Sequence, residues 1–111
     1  MKQLTGQDLI GMSAAAGAPM PLLLDVREPW EFALAAIHIE GLETRLMPMN
    51  TVPEHFGELE PAQPVVCICH HGARSAQVVA FLERHGFEAV YNLAGGVDAW
   101  SAQIDAAVPR Y

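Results

Sequence analysis

The run Val65-Val66-Cys67-Ile68-Cys69 constrains this chain more than any other stretch. It is uncharged and opens with β-branched residues, so it reads as a buried strand. His70-His71-Gly72 follows at once and reads as a loop. From Ala73 to His85 the apolar residues Ala76, Val79, Ala80 and Leu82 recur at helical spacing, and Gly86 suits the position just past a helix end. A strand, a tight loop and a helix therefore follow one another without a spacer.

The rest of the chain repeats that alternation. Thr5 followed by Asp8 resembles an N-cap with an acid in the first turn; Leu9, Ile10 and Met12 give an apolar face, and Gly17 is a stop, which predicts a helix over 5–16. Leu22-Leu23-Leu24, too short for a buried helix, reads as a strand buried on both faces that delivers Asp25, Val26 and Arg27 to its end. Pro29 suits the first turn of a helix in which Trp30, Phe32 and Leu34 are candidate packing residues. A short strand is expected within Leu42 to Met49, helical turns from Pro53 to Leu59, a strand from Val90 to Leu93, and a helix containing Trp100 after Gly95-Gly96. Strands alternating with helices indicate an α/β fold built on a parallel sheet with right-handed crossovers.

With 111 residues, 51% hydrophobic and 17% charged, the composition suits one globular core, so one domain over 1–111 without a linker is expected. The net charge of −7 argues against nucleic acid or an anionic membrane as partner, because no basic block neutralises phosphates. No apolar run approaches the roughly 18 residues that cross a bilayer. Ser13-Ala14-Ala15-Ala16 could pass for a cleavage site, but Gln3, Gln7 and Asp8 interrupt the stretch before it, so no secretory signal is expected. A disulfide between Cys67 and Cys69 would be strained across one intervening residue. Two such thiols fit a reducing compartment, and the cytoplasm is the expected location.

In an open parallel sheet, reactive groups collect where strands end and turn outward, and Cys69 occupies such an end. The loop from Cys69 to Arg74 would aim several backbone N–H groups and the positive end of a helix dipole at the sulfur. Thiols so placed have pKa values lowered to about 3.5 to 7.5, which makes them nucleophiles at neutral pH. Gly72 leaves room for the loop to curl, and Arg74 supplies a positive charge suited to a sulfonate or similar oxyanion. A cysteine at a strand end is ordinarily an inert core residue; the loop and helix that follow weigh against that reading for Cys69. Cys67, inside the run, reads as a small buried hydrophobe.

Three stretches resemble the signatures of single-domain rhodaneses: Leu24-Asp25-Val26-Arg27-Glu28-Pro29-Trp30-Glu31-Phe32, then Cys69-His70-His71-Gly72-Ala73-Arg74-Ser75, then Asn92-Leu93-Ala94-Gly95-Gly96-Val97-Asp98-Ala99-Trp100. They stand in the family's order. The resemblance implies a doubly wound parallel sheet of about five strands with helices on both faces. It also implies a sulfurtransferase, without cofactor, whose loop cysteine alternates between thiol and persulfide. Cys69 maps onto that cysteine, and His70, His71, Gly72, Ala73, Arg74 and Ser75 onto the loop that cradles the transferred sulfur. Asp25 and Arg27 map onto a strand-end pair, where Arg27 binds an anion or ties down the loop; a surface ion pair near a helix start is the alternative. The implied partners are small sulfur-containing anions such as thiosulfate and thiol acceptors, a protein thiol among them. His70 and His71 stand where thiosulfate-favouring relatives often carry basic residues, and histidine is only partly charged near pH 7.

Three other readings compete. Cysteine phosphatases and arsenate reductases use a similar cradle, but four residues separate Cys69 from Arg74 where their loops resemble a five-residue spacing, and a count from Cys67 gives six. Zinc is suggested by Cys67, Cys69, His70 and His71, yet adjacent residues do not easily all face one ion. A non-enzymatic persulfide carrier or docking module shares the same thiol, and only turnover separates it from an enzyme.

Overall fold

A computed structural model describes residues 2–15 and 17–111. Five strands form one sheet in the order β1-β5-β4-β2-β3, every neighbouring pair parallel. They are β1 (Lys2–Leu4), β2 (Leu22–Asp25), β3 (Thr44–Leu46), β4 (Val65–Ile68) and β5 (Val90–Leu93). The helices are α1 (Gly6–Ala14), α2 (Pro29–Leu34), α3 (Val52–His55), α4 (Ala73–Arg84) and α5 (Gly96–Gln103), with single 3-10 turns at Met49–Thr51 and Phe56–Glu58 flanking α3.

β2 and β4 are buried along their whole length, as uncharged runs in the middle of a parallel sheet should be. Their alternating side chains feed two cores. Leu22, Leu24, Val65, Cys67, Cys69 and Val90 pack with α3 and α4 residues such as Val52, Val79 and Leu82 on one face. Leu23, Val66 and Ile68 pack with Leu9 of α1, and Val97 and Trp100 of α5, on the other.

From β2 the chain moves outward to β3, whereas from β4 it moves the opposite way to β5. The direction of winding reverses between β2 and β4, so a crevice opens at their C-terminal ends. Cys69 leaves β4 there and Asp25 closes β2 there, with Asp25 in register with Ile68.

Some local expectations shift. Thr5 caps α1 in a reciprocal capping box with Asp8, but the helix ends at Ala14; Ala16, the last residue of the expected helix, lies outside the described residues. β1 has too few residues to carry a periodic signal and was not anticipated. In α2, Trp30 is 63% exposed and Leu34 is exposed, whereas Glu31 is buried. The helix therefore turns an acid inward, and the assignment of Trp30 and Leu34 as packing residues is corrected: the buried Arg27 and the partly buried Arg74 outcompete apolar surface for that side of a six-residue helix.

Candidate active site

Cys69 is 1% exposed and sits between the end of β4 and the start of the twelve-residue helix α4. Gly72 is the N-cap of α4 with φ +110°, a conformation that favours glycine. That turn brings the Gly72 amide to the sulfur, N–H donating to Cys69 Sγ at 3.0 Å. Ser75, in the first turn of α4, puts its hydroxyl oxygen 3.2 Å from the same sulfur. Among the described residues these two groups are the hydrogen-bond partners of Sγ. The expected ring of several amides is thus one amide and one hydroxyl.

The loop is clasped from below by the β5–α5 turn. Val97 N–H donates to Cys69 O at 2.9 Å and Asp98 N–H to His70 O at 3.1 Å. A Cβ on Gly96 would lie on those same two carbonyls, so the second glycine of the Gly95-Gly96 pair lets α5 approach the cysteine loop's backbone.

Asn92, buried on β5, alternates with Val90 onto the face that holds Cys67 and Cys69. Its Oδ1 lies 2.5 Å from Ser75 Oγ, and its Nδ2 donates to Gly72 O at 3.0 Å and Gln3 Oε1 at 3.2 Å. Sequence reasoning passed over Asn92. A polar residue inside the buried run of β5 is nonetheless a signal, since such a group demands partners.

The two arginines do not face the crevice as free cations. Arg27 is fully buried, and all five of its N–H groups are spent: on Asp25 (2.7–3.2 Å), Glu31 O, Ala35 O and the Tyr111 hydroxyl. Neither anion capture nor a surface ion pair describes it; Asp25 and Arg27 form a buried pair that ties β2 to α2 and to Tyr111. Burial opposes the guanidinium charge, but the bonds from Asp25 and Tyr111 outweigh it and raise the pKa.

Arg74 makes a two-pronged pair with Glu31, 2.8 Å on each side. Its hydrogen bonds hold the Glu31 carboxyl down to about 2, against desolvation, with help from Glu28 N–H and the Tyr111 hydroxyl. The same pairing raises the pKa of Arg74. The charge expected to meet a sulfonate is largely neutralised. Glu31 and Tyr111 were not anticipated: their partners lie 43 and 84 residues away in sequence.

His70 is stacked between His71 and Tyr111, each ring centroid 3.9 Å away. Its Nε2 is buried without a hydrogen-bond partner. Burial, then the neighbouring His71, lowers its pKa while Asp98 opposes, so His70 carries less charge near neutrality than an ordinary histidine. His71 is exposed with Nδ1 3.9 Å from Asp98 Oδ2. Ala73 is exposed at the first position of α4 and brings no polar side chain to the sulfur. Cys67 is fully buried, and desolvation, reinforced by Cys69, pushes its thiol pKa up. Among the described residues no group of three or more histidine, cysteine or acidic side chains is placed to hold a metal ion, and no helix is long and apolar enough to cross a membrane. A groove of about 410 Å³ beside Met49, Val52 and Phe81 contains none of the loop residues.

The family model for the rhodanese-like domain matches residues 7–103. Thiosulfate sulfurtransferase GlpE of Pseudoalteromonas translucida is 36% identical over 90 residues, covering 80% of this chain and 81% of that protein. The rhodanese-like/PpiC domain-containing protein 12 of Arabidopsis thaliana, a chloroplastic protein, is 34% identical over 93 residues; the match takes 80% of this chain but only 30% of that longer one. A crystal structure of a rhodanese-like domain protein from Staphylococcus aureus superposes with a TM-score of 0.74 at 31% identity, covering 90% of this chain and 91% of that one. With the sheet order, the clasped cysteine loop and a family match over most of its length, the chain belongs to the rhodanese-like domain family.

Proposed function

We propose that the chain is a sulfurtransferase that carries sulfane sulfur as a persulfide on Cys69. The Cys69 thiolate attacks the outer sulfur of an anionic donor such as thiosulfate; an S–S bond forms to Sγ, the donor's S–S bond breaks, and sulfite leaves with the bonding electron pair. A thiophilic acceptor, cyanide in an assay or a thiol in the cell, then attacks the terminal sulfur and returns the thiolate.

The observation that carries this reading is the Gly72 amide donating to Sγ at the N-terminus of α4, where amide and helix dipole favour negative sulfur. The matched sulfurtransferase relatives support the reaction class. Because Arg27 and Arg74 are already paired, a sulfonate would be met by exposed loop groups and by His70 and His71, and the KM for thiosulfate is expected to be high. A reducing compartment such as the cytoplasm suits two unpaired thiols.

Intact-protein mass spectrometry after thiosulfate treatment tests the reading. One added sulfur atom is expected, lost in Cys69→Ser and retained in Cys67→Ser. No adduct, or equal loss in both variants, overturns it. The near-complete burial of Cys69 favours a second reading, a carrier that loads once and waits for a protein thiol; stoichiometric loading without turnover on cyanide distinguishes it.

A further inference from the structure

Ser75 has one hydroxyl proton and two neighbours that could take it. Asn92 Nδ2 points at Gly72 O, which is only an acceptor, so the amide orientation is fixed and Asn92 Oδ1 faces Ser75 Oγ. That contact is 2.5 Å, against 3.2 Å from Ser75 Oγ to Cys69 Sγ. A carbonyl oxygen brings no proton, so two oxygens this close need the Ser75 hydrogen between them. Ser75 Oγ is left with lone pairs toward sulfur, which match a thiol that donates its S–H. The order is S–H to Ser75, then Ser75 O–H to Asn92.

Loss of the thiol proton to solvent breaks that order. With the Ser75 proton still on Asn92, the thiolate faces an oxygen lone pair. With the proton swung to sulfur, Asn92 Oδ1 loses its donor in a buried site, which is costly. We propose that Asn92 is a positioning residue that sets how readily Cys69 ionises, by holding the hydroxyl proton of Ser75 away from the sulfur. The inference rests on the reading of Cys69 as the reactive thiol and adds a control on it: β5 restrains the nucleophile that the Gly72 amide and α4 promote.

Other titratable groups surround this sulfur. Cys67 lies behind it on β4; Arg74 of α4 lies beside it with Glu31 of α2; His70 and His71 follow it, facing Asp98 of α5 and Tyr111; Asp25 and Arg27 end the neighbouring β2. Apart from Cys67, which is replaced alike in every protein compared, they persist when Asn92 is changed, so a comparison of variants isolates its contribution.

The test is the pH dependence of Cys69 alkylation by iodoacetamide in the full chain, in a Cys67→Ala background that leaves one thiol. Asn92→Leu removes the acceptor at similar volume and frees the Ser75 proton for the thiolate. At a pH below the parent's midpoint, alkylation should become about tenfold faster, the worth of roughly one hydrogen bond to a charged atom. In a Ser75→Ala background the same substitution should give no acceleration. If Asn92 only braced the loop, its loss would loosen the Gly72 amide and shift the midpoint upward. An unchanged or raised midpoint, or the same acceleration without Ser75, overturns the proposal.

Should Asn92→Leu not fold, the infrared S–H stretch, recorded at a pH where the thiol is protonated, decides. A donating S–H absorbs at lowered frequency and moves up in Ser75→Ala; a free S–H in the parent overturns the proposal. Sulfur loading with no midpoint shift fails this inference alone. The shift without loading fails the sulfurtransferase reading and leaves Asn92 in control of a thiol.

Discussion

Glu31 and Arg74 meet through two hydrogen bonds of 2.8 Å, joining α2 to the first turn of α4 across the mouth of the cysteine loop. The Glu31 side chain is 5% exposed and that of Arg74 33%, so the pair is half sheltered. Its acid member is the buried residue of α2, and it also accepts from Tyr111 at 3.0 Å. The pair both braces the loop and offsets the charge of Arg74, which interacts with Cys69.

Glu31→Gln separates those two effects. Loss of the charged partner should cost about 2 kcal/mol, less than a fully buried pair because Arg74 is partly solvated. Urea denaturation measures it. In the same variant the released Arg74 charge should lower the KM for thiosulfate severalfold; a raised KM would show that bracing, not charge, dominates.

The same carboxyl gives the fold an acid limit. Its pKa falls from 4.5 in the unfolded chain to about 2 in the fold, so the folded state binds fewer protons between those values. Its contribution is complete above about pH 4.5 and is lost as pH falls toward 2. Thermal melts from pH 6 to pH 2 should show this loss, and Glu31→Gln should flatten it.

Arg27→Met keeps much of the side-chain length but leaves Asp25 buried without its partner. Removing one member of a buried, fully hydrogen-bonded pair should cost about 3–5 kcal/mol. Arg27→Lys should recover little, since one ammonium cannot reach Asp25, two carbonyls and Tyr111 together. Equal stability of Arg27→Lys and the parent would remove the bracing role.

Gly96→Ala tests the clasp beneath the loop. Gly96 has φ +59°, and an added Cβ would collide with the carbonyls of Cys69 and His70. A loss of about 2 kcal/mol or more is expected, together with slower Cys69 alkylation as the loop is pushed off α5. Gly57→Ala, with open space at its Cβ position and φ outside the left-handed region, should be close to neutral.

The stretch around Val65 shows what a sequence can announce. Local features with local causes were legible: the buried runs of β2 and β4, the capping box of Thr5 and Asp8, Pro29 opening α2, and Gly86 closing α4. The site cysteine was legible too, because strand end, loop and helix start are contiguous. α2 shows the opposite case. Its apolar residues read as the packing face, and its acid turned out to be the buried one, because the partners that draw Glu31 inward come from another helix and from Tyr111.

Hydrophobic runs, proline and glycine act on their own neighbourhood, so the order of residues was enough to place β2 to β5 and the main helices, though not β1, and to set Cys69 just ahead of α4. It took the packed fold to pair Arg74 with Glu31, to bury Arg27 against Tyr111, to set Asn92 on Ser75 and to seat the loop on Gly96. Arg27 meets Asp25 two residues away, but Ser75 and Asn92 are 17 residues apart, Glu31 and Arg74 43, and Arg27 and Tyr111 84, and it is strand order and register, not local preference, that brings these distant groups within hydrogen-bonding distance.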